Sequence, residues 1–481
     1  MSKDCSAHLR GERGQAFANL IRGIPPEQIL CVSLDISKYF HVAIIHNGLG
    51  EIVTPTFEVD IYQSGFDQLC QAIDQAKART HAQVVLVGME PTGHYFENLA
   101  RHLLTGSQPV KLINSFSVKQ NREQQLMRRE KTDQIDVAAI GDLLRRGEGT
   151  LYRPATGVYL QLQPFDRVRL GKAKIERILK NQIIGHMDRI FPGLLLLNDV
   201  AKERYTSLFG TDFWQCQTLQ NLIRICPNPN ELVGMSSAQL VKAFHAQNCR
   251  LGPATAGRII AQAHQTLLPD PQLAAIRCEL LQHDLALLDA VQARLTLLEQ
   301  RLASLVTQTP YQVLAKLKGL SIIQVASLAA AIGDPANYTN AAQVFRRSGL
   351  VSGRNDSGNH QYKGKGNHIL KTGDVYLRTA LMNATATLIL HQPVLGSYAK
   401  QLQITKPAGV ARVATARKTI GILWAILRDQ SSNTLINCKG ADMQTSFFTA
   451  SQAIPCLRLP SFLIHALPCM SDGSVAYRFS P

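Results

Sequence analysis

From Ile29 onward the chain runs in short apolar stretches separated by polar turns. Ile29 to Asp35 (ILCVSLD) is an apolar run closed by an acid, the pattern of a buried strand. Phe40 to His46 and Glu51 to Val59 read as two more strands, with Asn47-Gly48 as the turn between them. Phe66 to Ala78 has helical periodicity. Val84 to Met89 is a further buried strand that ends at an acid, Glu90, and Pro91-Thr92-Gly93 breaks it before a helix over His94 to Leu104. Val110 to Ile113 is the last strand of the series. A meander followed by alternating helix and strand predicts an α/β sheet with an antiparallel part.

The stretch Lys131 to Ile140 (KTDQIDVAAI), continued by Leu143 and Leu144, reads as a helix with Gly141 as its weak point. Asp133 and Asp136 are i,i+3 neighbours there, so both carboxylates lie on one side. Two like charges at that spacing repel unless a cation sits between them. Arg128, Arg129 and Lys131 offer positive charge, and a hard divalent ion offers more. The same acids also suit an ordinary solvated helix start, where carboxylates are favoured in any case.

Beyond Pro164 the pattern becomes helical as far as Pro310. Arg167, Arg169, Lys172, Lys174, Arg177 and Lys180 give its first helix a basic face, and Phe191-Pro192-Gly193 stops that helix. Leu194 to Gly252 suggests short helices. Pro271 to Val306 reads as one long helix with an apolar seam of Leu280, Leu287, Val291, Leu295, Leu298, Leu302 and Leu305. That seam fits a coiled coil or helical hairpin, and equally an amphipathic core helix. Leu314 to Gly333 reads as helix, tight turn, helix. It resembles a helix-hairpin-helix, whose turn presents backbone N–H groups to a phosphate, with Ser321 at the usual second glycine. Val375 to Leu390 and Val410 to Leu427 are apolar helices. From Gln430 the periodicity stops.

Charge narrows the class. The 481 residues carry a formal net charge of +16, which points to a polyanionic partner. The densest basic part is Lys318 to Arg378, with Arg346, Arg347, Arg354, Lys363, Lys365, Lys371 and Arg378 set among glycines that let loops approach a backbone closely. Ten scattered cysteines without a C-x-x-C pair suit a reducing compartment. No run approaches the roughly 20 apolar residues of a membrane span, and residues 1–28 form a polar, basic leader without an apolar signal core. The expectation is a soluble, cytoplasmic protein with no membrane partner.

The acids then combine. Asp35 and Glu90 end two strands, where α/β sheets place their sites, and Asp133 and Asp136 open a helix able to pack beside them. Four carboxylates converging there can hold two Mg²⁺ ions roughly 3.5–4 Å apart, an arrangement suited to phosphoryl transfer. Singly, Asp35 and Glu90 are ordinary strand-ending polar residues.

This order resembles the ribonuclease-H-like fold of the RuvC Holliday-junction resolvase. More closely, it is similar to the DEDD-type transposases of insertion-sequence family 110, which include the Piv invertase. The matching segments are LDISK at Leu34 to Lys38, MEPTG at Met89 to Gly93 and KTDQID at Lys131 to Asp136. The resemblance implies a RuvC-like DEDD domain at 29–150 and a helical, coiled-coil region at 151–313. It further implies a mainly α C-terminal transposase domain at 314–429, followed by a poorly ordered extension at 430–481. It also implies Mg²⁺-dependent cleavage and rejoining of donor and target DNA. Ser357 matches the family's nucleophilic serine in an S-G pair, although Ser352 stands where the family has proline. By the same resemblance, the acids and Ser357 act together. The resemblance also implies a structured bridge RNA that guides the reaction, and one acid cluster and one serine per protomer call for a homodimer that pairs into a tetramer through the Pro271–Val306 helix. Lys119, Arg122, Arg128, Arg129, Lys131 and the helix from Arg167 and Lys172 are the RNA or DNA contacts it suggests, a basic solvated surface being the alternative. Two rivals remain: a RuvC-like nuclease that hydrolyses junction DNA with water, and a non-catalytic nucleic-acid-binding relative.

Overall fold

The computed structural model describes residues 11–106, 108–124, 132–195, 208–209, 213–351, 369 and 373–431. The chain forms two compact units, residues 1–154 and 155–481.

The first unit opens with helix α1 (Gly11–Ile21), inside the stretch expected to be a leader. Phe17 and Ile21, four residues apart, form a narrow apolar stripe in a polar sequence. They pack on Ile29, Cys31, Leu86 and Leu144. The sheet follows: β1 (Ile29–Ile36), β2 (Phe40–Asn47), β3 (Ile52–Asp60), then α2 (Gln63–Thr80), β4 (Val84–Met89), α3 (Phe96–Thr105), β5 (Val110–Leu112), α4 (Ser115–Gln124), α5 (Asp133–Arg145) and β6 (Thr150–Leu151). Its spatial order is β3-β2-β1-β4-β5-β6. The β1–β2, β2–β3 and β5–β6 pairs are antiparallel, and β1–β4 and β4–β5 are parallel. Asn47 makes the β2–β3 hairpin tight, because its side-chain oxygen accepts from Leu49 N at 3.0 Å and Glu51 N at 2.9 Å.

Burial on both faces explains why β1 is apolar apart from Ser33 and Asp35. Leu30, Val32, Leu34 and Ile36 pack with Leu69 and Ile73 of α2 and Leu99 and Leu103 of α3. Cys31 turns to the opposite face, toward Leu144 of α5. Burial there pushes the Cys31 thiol up to about 12.

The second unit is helical. Helix α6 (Tyr159–Ile190) starts five residues before Pro164 and passes through it. Short helices α7 (Gln217–Ile225), α8 (Pro229–Leu232), α9 (Ser237–Ala246) and α10 (Pro253–Gln265) follow, and then the long α11 (Pro271–Val306). Helices α6 and α11 form an antiparallel pair, tied by Arg301 to Gln161 at 2.9 Å, Gln292 to Glu176 at 3.0 Å and Arg277 to the Arg189 carbonyl at 3.2 Å. The predicted seam divides. Val291, Leu295, Leu298, Leu302 and Leu305 are buried within the chain, while Leu280 and Leu287 are 48% and 52% exposed.

A second core gathers Tyr311, Leu314, the alanine-rich α12 (Ile322–Ile332), Val344 and Phe345 of α13 (Ala341–Ser348), Leu377 and Leu381 of α14 (Val375–His391), Leu395 of α15 (Pro393–Thr405) and Leu423 of α16 (Ala408–Ser431). The element expected as a helix-hairpin-helix differs in detail. Its first arm is a 3-10 turn, Pro310–Lys316, and Ser321 is the N-cap of α12 in a capping box with Gln324. The Ser321 N–H is spent on the Gln324 side chain at 3.0 Å, so it is not presented to a phosphate. Among the described residues, no helix is long and apolar enough to cross a membrane. Residues 432–481, most of the expected extension, lie outside the described residues.

Candidate active site

Strand register brings Asp35 and Glu90 to neighbouring positions. β1 and β4 run parallel with Leu34 opposite Met89, and Glu90 N continues the ladder to the Leu34 carbonyl at 3.3 Å. Alternation along β1 places Cys31, Ser33 and Asp35 on one face. Along β4, Leu86 and Gly88 look toward Leu144 of α5, and Glu90 occupies the next position on that face. Both acids are half-buried.

Helix α5 lies across this face, antiparallel to β1. Its last turn, at Leu144, packs on Ile29, Cys31 and Leu86 near the strand starts. Val137 packs on Val42 and Ile44, and Val42 is the register partner of Asp35. The first turn of α5 therefore sits at the end of the sheet where β1 and β4 finish. Thr132 caps that turn, its hydroxyl accepting from Ile135 N at 3.3 Å. The turn that carries Asp133 and Asp136 thus lies beside the strand ends that carry Asp35 and Glu90, but the surroundings of these acids differ. Asp133 is exposed, whereas Asp136 is 4% exposed and forms an ion pair with Arg122 of α4. Among the described residues, no group of three His, Cys, Asp or Glu side chains is gathered so as to hold a metal. The donor set is nonetheless all oxygen, as a hard divalent ion requires, and Asp136 already holds a cation in the Arg122 guanidinium.

Close packing makes this placement possible. Gly141 of α5 sits over Ser33 and His46, and a methyl group there would lie under 3.0 Å from His46 Nε2. His46 Nδ1 donates to the Asn47 carbonyl at 2.9 Å, and burial holds the ring below its ordinary pKa, so it is neutral near pH 7. Asn121 of α4 donates to Asp142 of α5 at 2.8 Å. Burial works to raise the Asp142 carboxyl, but the bonds from Asn121 and Arg145 and the charge of Arg146 outweigh it and hold the group low.

The predicted basic contacts separate into exposed and committed residues. Lys119 is exposed beside Glu123 at 3.8 Å, but Arg122 is 9% exposed and bound to Asp136, which removes it from the nucleic-acid surface. On α6, Arg167 is exposed and stacks on Tyr376 with 5.1 Å to the ring centroid, and Lys172 is half-buried. Arg169 is held by Asp166 at 3.0 Å and by Ser327 at 3.0 Å. In the C-terminal core Arg346 is exposed, while Arg347 is built into the fold. Its guanidinium donates to the Ile332 carbonyl at 3.1 Å, Asp374 at 3.0 Å and the Tyr338 hydroxyl. Arg378 donates to the Ser348 carbonyl at 3.0 Å. Lys131, Ser352, Arg354, Ser357, Lys363, Lys365 and Lys371, with Arg128 and Arg129, lie outside the described residues.

Comparison with known families bears on both units. A family model of DEDD-type IS110 transposases matches residues 32–192, which include the four acids. A model described as the IS116/IS110/IS902 transposase family matches residues 311–400, which include Ser357. The chain belongs to the IS110 family of transposases. It is similar to a probable family 20 transposase of Pseudomonas aeruginosa, 30% identical over 145 residues. That match spans 29% of this chain and 42% of the relative, less than half of its length.

Two features of this IS110-family chain escaped sequence reasoning. The Arg122–Asp136 pair joins residues 14 apart on different helices. A signal for it existed: Val118, Asn121 and Arg122 share the buried face of α4, and polar residues on a buried face need partners. The commitment of Arg347 had no comparable signal, since Asp374 lies 27 residues away across a basic stretch.

Proposed function

We propose that this protein is the transposase of its own mobile element, cutting and rejoining donor and target DNA in the cytoplasm. The observation that carries the reading is the placement of Asp35 and Glu90 at adjacent parallel strand ends, under the first turn of the helix that bears Asp133 and Asp136. In this reading the first unit is ribonuclease-H-like, and its mixed sheet supports that. The four acids would hold two Mg²⁺ ions, which supply neutralisation of the developing phosphate charge. Ser357 is the nucleophile. Its Oγ forms a bond to a DNA phosphorus, the P–O3′ bond breaks, and the serine proton ends on the freed 3′ oxygen. The 5′-phosphoserine is then attacked by a 3′ hydroxyl, which reseals DNA and returns the serine with no net hydrolysis. A structured bridge RNA from the same element pairs with both DNAs. Exposed Lys119, Arg167 and Arg346 are supporting contacts for nucleic acid. One protomer carries one acid cluster and one serine, so four strand exchanges call for a homodimer that pairs into a tetramer.

The test is a denaturing gel of full-length protein with end-labelled donor DNA. Wild type should give a covalent adduct. Ser357→Ala should bind DNA without forming one, and Ser352→Ala should keep it, because the family's residue at that position has no hydroxyl. Product without any adduct in the wild type would favour hydrolysis by water. An adduct that persists in Ser357→Ala would refute the serine assignment.

A further inference from the structure

We infer that Arg122 is a positioning residue that sets the metal affinity of the acid cluster. It holds Asp136 as an internal counter-ion and must release it when a divalent ion binds. The inference rests on the reading of the four acids as the metal site. Arg122 is 9% exposed, and its guanidinium meets the Asp136 carboxylate, itself 4% exposed. Among the described residues, Arg122 Nε has no hydrogen-bond partner. A buried guanidinium with an unfilled donor pairs imperfectly, and such pairs recover little beyond their own desolvation. An ion of twice the charge, which Asp35, Glu90 and Asp133 would also help to hold, would compete for the same oxygen. The anchor of α4 does not depend on the pair. Val118 packs with Ile113, Ala139, Ile140 and Leu143, and Asn121 bonds Asp142 at 2.8 Å. Arg122 can therefore let go of Asp136 while α4 stays in place. Without metal, the pair keeps Asp136 buried and prevents repulsion among the acids. With metal, it becomes surplus positive charge that weakens binding.

A purely structural pair predicts something different, so metal affinity decides. Full-length wild type, Arg122→Gln, Arg122→Lys and Asp136→Asn are titrated with MgCl₂ and MnCl₂ by calorimetry. Coupling free energies of the usual size predict that Arg122→Gln binds either ion roughly 5–150-fold more tightly. Arg122→Lys, which keeps the charge, should stay near wild type, and Asp136→Asn should bind more weakly. Unchanged or weaker binding by Arg122→Gln, alongside weaker binding by Asp136→Asn, would overturn the inference and leave the metal site standing. Absence of binding by wild type would remove the metal site and the inference together. Side-chain NMR selective for guanidinium groups gives a second readout on the wild type if Arg122→Gln does not fold. Adding Mg²⁺ should move the Arg122 resonance toward that of an unpaired guanidinium, while amide exchange across α4, Ser115–Gln124, stays unchanged. An Arg122 resonance that does not move at saturating Mg²⁺ would show that the pair is kept, contrary to the inference.

Discussion

Substitution of Gly141 by alanine tests whether the close approach of α5 to the sheet places the acids. In a solvated helix this change is favourable by about 0.8–1.0 kcal/mol, because glycine has the larger backbone entropy to lose. Gly171 of α6 is such a position, exposed and with nothing within 4 Å of an added Cβ, so Gly171→Ala should stabilise by that amount. At Gly141 the new methyl would overlap His46 Nε2 and touch Ser33 Oγ at 3.0 Å. His46 cannot swing aside, since it is 6% exposed and pinned to the Asn47 carbonyl at 2.9 Å. Carbon contacts need about 3.5–4.0 Å, so α5 must lift from β1. Overpacking of this kind costs about 1–3 kcal/mol. Set against the helix gain, Gly141→Ala should destabilise the first unit by up to about 2 kcal/mol, or roughly 4–8 °C in its calorimetric transition at the usual 2–4 °C per kcal/mol for a unit of this size. The lift also moves the first turn of α5, and displacement of about 1 Å can cost a hundredfold in rate. Scanning calorimetry and a recombination assay on both variants separate the effects. If Gly141→Ala raised the transition as Gly171→Ala does, with full activity, the argument that tight packing aims the acids would fail.

Leu298→Asp and Leu287→Asp should diverge although both belong to the same apolar seam. Leu298 is 3% exposed on α11, so its replacement should cost at least about 3 kcal/mol and disrupt the helical unit by circular dichroism. Leu287 is 52% exposed, and Leu287→Asp should leave the fold intact; sedimentation then reports whether this outer stripe joins protomers, and an unchanged dimer would move the interface elsewhere. His41 and His46 are both held below their ordinary pKa by burial, so the unfolded chain takes up their protons more readily than the folded one. Their contribution to stability is complete above about pH 6.5 and is lost as the pH falls below it. Urea midpoints should therefore drop between about pH 7.5 and 5.5, and a midpoint that stays level for the first unit would contradict the burial argument.

Local pattern determined much of this protein. Each strand from Ile29 to Leu112 was legible because strand and helix periods differ, and the acids Asp35 and Glu90 were marked by closing apolar runs. The family segments lay in the same stretches. The capping box Ser321-x-x-Gln324 is also legible in the sequence, as a serine followed three residues later by a glutamine at the head of an apolar run. Tertiary structure decided which partner each side chain found. The stripe of Phe17 and Ile21 was too short to reveal a helix until Cys31, Leu86 and Leu144 gave it a surface. Long-helix periodicity identified α11 but not which of its leucines would face α6 and which would stay outside. Arg122 looked like surface charge until α5 brought Asp136 to it, and Arg169 until Ser327, 158 residues away, closed over it. Periodicity is a property of neighbours along the chain, whereas the burial and pairing of a charge depend on segments that meet only after folding.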